Sequence, residues 1–179
     1  MVPWFIATER FSPDSGDAWT TFVDWSGLTH LTEVVSLDPM LCPTLLPDVQ
    51  PGYWPHIVNE DFALGFFTDL AFLRGEIAGF DDLNLLCVYR NPEREPSPPG
   101  GFELLGYDLM DVQGSASALT NCGGFPDVFE PSELTPLGLL PWLPRARAVQ
   151  DALRQRYPDE PQADCHVWAI CRATDGGAG

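Results

Sequence analysis

The chain has 179 residues and sets 26 Asp and Glu against nine basic residues, every one of them Arg, for a formal net charge of −17 at pH 7. A protein that binds nucleic acid by neutralising phosphates needs a basic footprint, and an anionic membrane surface repels a chain of this sign, so neither is expected as a partner. At 45% hydrophobic and 12% aromatic residues the composition is that of a folded chain, and its length suits one domain.

The 16 Gly and 18 Pro punctuate the chain into short elements. Residues 28–37 are β-branched and loosely alternating, which predicts a strand ending at Asp38-Pro39. Prolines at 39, 43, 47, 51 and 55 then forbid a regular helix. Met40, Leu41, Leu45, Leu46, Tyr53 and Trp54 make this segment either a cover for the core or a binding loop. Asn59 can cap a helix that starts at Glu60-Asp61 and carries Phe62, Phe66, Leu70, Leu73 and Ile77 on one face to about residue 78, with a kink or break at Gly65.

Residues 83–90 are apolar on both faces and of strand length, as in a central strand. The Pro- and Gly-rich stretch 91–101 connects them to a second strand, 102–112, and the two read as a hairpin with a long loop. A helix follows from about Pro144 to Tyr157, with Ala146, Val149, Leu153 and Tyr157 on one stripe. Arg145 with Arg156, and Arg147 with Arg154, lie along its two borders. These arginines could bind an anion; the plainer expectation is that their stems cover the core edge and their heads pair with the chain's own acids. A strand over His166–Arg172 closes the pattern, and residues 175–179 should fray. The expected fold is a single α+β domain over residues 1–174. It has a mostly antiparallel sheet of four or five strands, two main helices and long Pro-rich loops.

The segment Met1–Arg10 lacks the basic start and long apolar stretch of a signal peptide, and five cysteines make an odd number, so a reduced cytoplasmic location is expected. No apolar run escapes Pro, Gly or a charge for the roughly 18 residues a membrane helix needs.

Candidate chemistry is sparse. Cys122 stands beside Gly123-Gly124, whose backbone could approach an oxyanion, and His166 or His56 could serve it as base. The structural alternative is a glycine-capped turn with a small buried thiol. No Cys-x-x-Cys or His-x-x-x-His pair is present. Asp164, Cys165 and His166, adjacent at a strand start, cannot all converge, so no metal is expected. The Walker, dinucleotide, Gly-x-Ser-x-Gly and His-Glu-x-x-His patterns are absent, and no cofactor is expected.

What stands out is the charge itself. Between Glu60 and Glu133 lie fourteen acids and three Arg, many of the acids next to aromatics. Such a surface steers a basic partner and anchors it through large rings. In size and charge, and in nothing more specific, the chain is similar to the small acidic immunity and inhibitor proteins of bacterial toxin systems. The expectation is therefore a non-enzymatic protein that docks on and neutralises a basic protein, for example a toxin or nuclease. Its expected binding residues are Tyr53, Trp54, Asp108, Asp111, Asp127 and Glu130. The alternative is a small enzyme with Cys122 as nucleophile.

Overall fold

In the computed structural model, which describes residues 2–58, 65–121 and 123–174, four strands form one antiparallel sheet. They are β1 (Trp4–Glu9), β2 (Leu83–Arg90), β3 (Phe102–Asp111) and β4 (Cys165–Ala173), in the order β1-β2-β4-β3. Three helices accompany them among the described residues: α1 (Asp17–Ser26), α2 (Leu70–Glu76) and α3 (Leu143–Arg156). Short 3-10 turns start at Pro13, Pro51, Pro131 and Pro161, where the fixed proline φ favours a first helical turn. The arrangement is α+β, and no helix among the described residues is long and apolar enough to cross a membrane.

Both faces of the sheet are buried, and different material covers each. Alternation sends Phe5, Ala7, Cys87, Tyr107, Leu109, Ala169 and Cys171 to one face, where they meet Leu73 of α2 and Ala146, Val149 and Leu153 of α3. Phe11, Trp19 and Phe22 pack ring to ring within the same cluster and fasten α1 to it. The opposite face presents Ile6, Leu86, Val88, Met110, Trp168 and Ile170 to irregular chain, chiefly Val35, Leu37, Val58, Phe66 and Leu139.

Several expectations need correction. Residues 28–37 are not a strand. Val34 bridges Phe11 and the Val35 N–H donates to Leu137 O, so the segment is held by isolated bonds on two sides. Residues 33–38 are all buried, which removes the alternation a half-exposed strand would show. The helix expected from Glu60 begins at Leu70. Gly65 has φ +84, Phe67 bridges both Phe5 and Ile57, and Asp69 caps α2 by accepting from the Phe72 N–H at 3.0 Å. The expected cap and first turn at 59–64, like the tail at 175–179, lie outside the described residues. β2 and β3 are no hairpin, because β4 runs between them and bonds to both. β1 and α1, which carry no strong local signal, complete the fold.

The Pro-rich segment has a definite task. The Glu9 N–H donates to Pro43 O, Leu45 N–H to Ala7 O, and Thr44 bridges Thr8, so this stretch shields the outer edge of β1. On the far side, Leu140 bridges Tyr107 and Ser117 bridges Met110, covering β3. An unprotected edge would invite pairing with another chain. At Gly106, beside a register shift in β3, a Cβ would stand 2.7 Å from Leu140 O, so only glycine permits this approach.

At one end of the sheet a buried carboxylate gathers four segments. Glu33 accepts from Arg10 Nε and Nη2, both at 3.0 Å, from Asn84 Nδ2 at 2.9 Å and from Arg172 Nη1 at 2.8 Å. Burial by itself would raise the Glu33 carboxyl; the hydrogen bonds from Arg10, Asn84 and Arg172 and the charge of Arg172 outweigh it and hold the group below the usual carboxylate range. Removing it strands two guanidiniums, so Glu33→Ala is expected to cost about 3 kcal/mol in urea unfolding at pH 7, the low end for a buried pair because both arginines are partly exposed. The stabilisation should be complete above the unfolded-state carboxylate pKa and fade as pH falls through the lower folded value, so wild type and variant should converge in acid.

Candidate functional site

The six residues expected to meet a partner divide into three groups. Asp108 is 1% exposed and Asp111 is 6% exposed, so neither reaches the surface as the sequence suggested. The reason is a serine network, not an ion pair. Asp108 accepts from Ser36 Oγ at 2.5 Å, Ser117 Oγ at 2.6 Å and the Leu109 N–H at 2.8 Å. Nearby Asp38, itself buried, takes the N–H of Ser117 at 3.0 Å, that of Met40 at 2.8 Å and the side chain of Asn121 at 2.8 Å. Asp111 holds the turn after β3 through Ser115 Oγ at 2.6 Å and its N–H at 3.0 Å. These carboxylates fasten the 36–40 and 115–121 segments to β3, and burial pushes the Asp108 carboxyl above its usual range despite the hydroxyl donors.

Asp127 and Glu130 are exposed, but Asp127 is already engaged by Arg156 and the Tyr157 hydroxyl. The Tyr157 bond, ahead of the Arg156 charge, holds its carboxyl below the usual range. Glu133 next to this turn takes Arg145 Nη2 at 2.8 Å. Tyr53 and Trp54 separate in role. The Tyr53 ring packs on Phe67 and Phe72 and its hydroxyl donates to Glu76 at 2.8 Å, whereas Trp54 stands 62% exposed. His56 stacks on Phe72 with ring centroids 4.0 Å apart and shares a 3.0 Å bond with Asp69, so this loop is clamped onto α2.

Cys122 lies outside the described residues. His166 accepts at Nδ1 from Asn91 Nδ2, 2.9 Å away, since Asn91 Oδ1 is occupied by the Val167 N–H. Burial pushes the Cys42 and Cys165 thiols up to about 12, which keeps both protonated at neutral pH. Among the described residues no three His, Cys, Asp or Glu gather as a metal ion would require.

A cleft of about 890 Å³ opens at the sheet end where Glu33 sits. Its apolar wall is Ile77, Leu83 and Leu85, and Arg10, Arg74, Asn84 and Arg172 also line it. Its rim carries exposed Phe80, Asp81 and Glu103, with exposed Asp82 taking Arg10 Nη1 at 3.3 Å. Glu76, the last residue of α2, takes the Tyr53 hydroxyl and is not among the residues that line this cleft. Asp81 and Glu103 each adjoin an aromatic in sequence, but that they share one cleft follows only from the β2-β4-β3 pairing. No protein-family model, no curated protein and no solved structure matches this chain.

Asp108→Asn keeps one oxygen for Leu109 and Ser117 and removes the buried charge. Because the folded pKa of Asp108 is raised, the wild-type protein should lose stability relative to this variant as pH climbs from the ordinary Asp range through the folded value. Urea unfolding across pH 4 to 8 is expected to show that gap widening and then levelling.

Proposed function

We propose that the chain is a non-enzymatic acidic binding protein that docks on and neutralises a basic protein, such as a toxin or nuclease. The observation that carries this reading is the rim of the cleft at the Glu33 end of the sheet, where the carboxylates of Asp81 and Glu103 stand exposed beside the ring of Phe80, 46% exposed. The exposed ring of Trp54, next to Tyr53 and its bond to Glu76 at the end of α2, is a second, separate contact in this reading. An aromatic anchor ringed by carboxylates suits a partner that presents Lys or Arg around an apolar pocket. The cations of the cleft compete little for such a partner, since Arg10 and Arg172 are already spent on Glu33. The proposed footprint therefore keeps Trp54 and the Tyr53 loop from the sequence reading, moves the acidic part to Asp81 and Glu103, and leaves out buried Asp108 and Asp111.

Arg74 lines this cleft and has no carboxylate within ion-pair distance among the described residues, which makes it the one cation here set against a basic partner. The test is salt-gradient elution of whatever basic protein the tagged chain retains from native lysate, repeated with two variants. Retention is expected to fall about tenfold for the double reversal Asp81→Lys, Glu103→Lys and to rise for Arg74→Ala. A partner retained equally by all three proteins would remove this surface from the reading.

A further inference from the structure

The four arginines of α3 meet two fates. Those on one border do what a chain rich in acids predicts: Arg145 pairs with Glu133 and Arg156 with Asp127. Those on the other border do not. Arg147, Gln150 and Arg154, spaced by three and four, share a helix face that looks onto the corner after β2. Two adjoining hollows of about 290 and 470 Å³ meet there at Asn91 and Glu93, and Arg90, Arg94, Arg147 and Arg154 line them. Arg90 lies over the Trp4 ring, 5.1 Å from its centroid, which leaves Arg94, Arg147 and Arg154 to share this place with Glu93 as the one lining acid.

The corner and Arg147 are also held in place. Asn91 adopts φ +47, a left-handed conformation that Asn tolerates better than most residues. Its N–H donates to Val167 O at 2.7 Å, its Oδ1 accepts the Val167 N–H at 3.0 Å, and its Nδ2 reaches His166. Arg147 Nη2 bonds Pro92 O, and Gln150 Nε2 bonds Cys165 O at 2.7 Å, so helix and corner are locked at a set separation. The heads of Arg94, Arg147 and Arg154 are meanwhile poorly neutralised. Arg154 lies 3.9 Å from Asp151, at the limit of an ion pair, and neither Arg94 nor Arg147 has a carboxylate within that distance among the described residues.

We propose that this groove binds a small, multiply charged phosphate ligand of the pyrophosphate type. Planar guanidinium forks match phosphate oxygens, and Arg147 with Arg154 in one hollow and Arg94 in the adjoining one suit a ligand of two or more negative charges. Val167 is the one apolar lining residue, so nothing here selects a ligand with an apolar body. The net charge of −17 opposes approach to an anionic bilayer, which favours a free phosphate over a lipid headgroup. Arg147, fixed on Pro92 O, reduces the ordering cost of binding, and the local cluster of cations works against the repulsion of the whole chain.

Calorimetric titration of the full chain with pyrophosphate at low ionic strength tests this. Binding is expected, weakened by salt, and weakened about tenfold or more by Arg94→Ala or Arg154→Ala, both of which remove exposed side chains and leave folding intact. Arg74→Ala, which changes net charge equally at the other end of the sheet, should leave the affinity unchanged. The proposal is overturned if pyrophosphate gives no saturable heat, or if Arg74→Ala weakens it as much as the groove variants do. Citrate binding as tightly would replace phosphate by a carboxylate ligand and also overturn it. So would attachment to vesicles of phosphatidylcholine with phosphatidylinositol 4-phosphate without any response to free pyrophosphate.

Discussion

A four-stranded antiparallel sheet offers two faces and two edges to water, and among the described residues this chain closes all four sides with three helices and a large complement of proline. The faces are apolar on both sides, so leaving either open would expose a patch of the size that drives association. Helices cover one face. The other is covered by irregular chain, and irregular chain is costly to bury because its backbone groups need partners. That single constraint accounts for much of what is unusual in the structure. Val35 bonds Leu137, Thr44 bridges Thr8, and the buried serines and carboxylates around Asp38 and Asp108 satisfy backbone N–H groups that no ladder could take.

Charge is arranged by the same logic. With so few cations, each arginine pairing has structural weight. Glu33 shows this at one sheet end, where it joins the chain after β1 to β2, β4 and the covering segment through Arg10, Asn84 and Arg172. Arg145 and Arg156 secure the turn around Asp127 and Glu133 to α3. Asp81 and Glu103 stand at the rim of the large cleft beside Arg74, while Arg94, Arg147 and Arg154 lie at the opposite end of the sheet, around Asn91. The two ends therefore present surfaces of contrasting chemistry, an acidic and aromatic rim at one and an arginine groove at the other. A strongly negative total conceals this separation, because a sum over the chain carries no information about position.

Much of the fold was legible from local pattern. β2, β3, β4 and α3 fall within a residue or two of where periodicity places them, since each is long enough to show its period and is bounded by Gly, Pro or charge. The α+β class followed from those elements. β1 and α1 escaped notice: Trp4–Glu9 is short, and α1 carries only two buried residues, Trp19 and Phe22, too few to establish a helical repeat. The 28–37 stretch misled for the converse reason. β-branched residues favour extended backbone, but a strand also needs a neighbour along its length, and Val34 and Val35 find theirs on opposite sides.

The candidate site was less legible than the fold. Asp108 sits in a stretch that looks like an acidic, half-exposed strand, and nothing in its neighbours announces Ser36 and Ser117, which are distant in sequence on one side and beyond a turn on the other. Arg147 and Arg154 were separable from Arg145 and Arg156 by helical angle alone, yet which border would find acids depended on what packs beside α3. The sequence by itself determined the charge total, the local periods, the proline punctuation and the residue types available for chemistry. These are properties of composition and of neighbours along the chain. Strand order, the burial of Asp108, the gathering around Glu33 and the two unlike sheet ends were decided only by tertiary structure, because each depends on contacts between residues that only the folded sheet brings together.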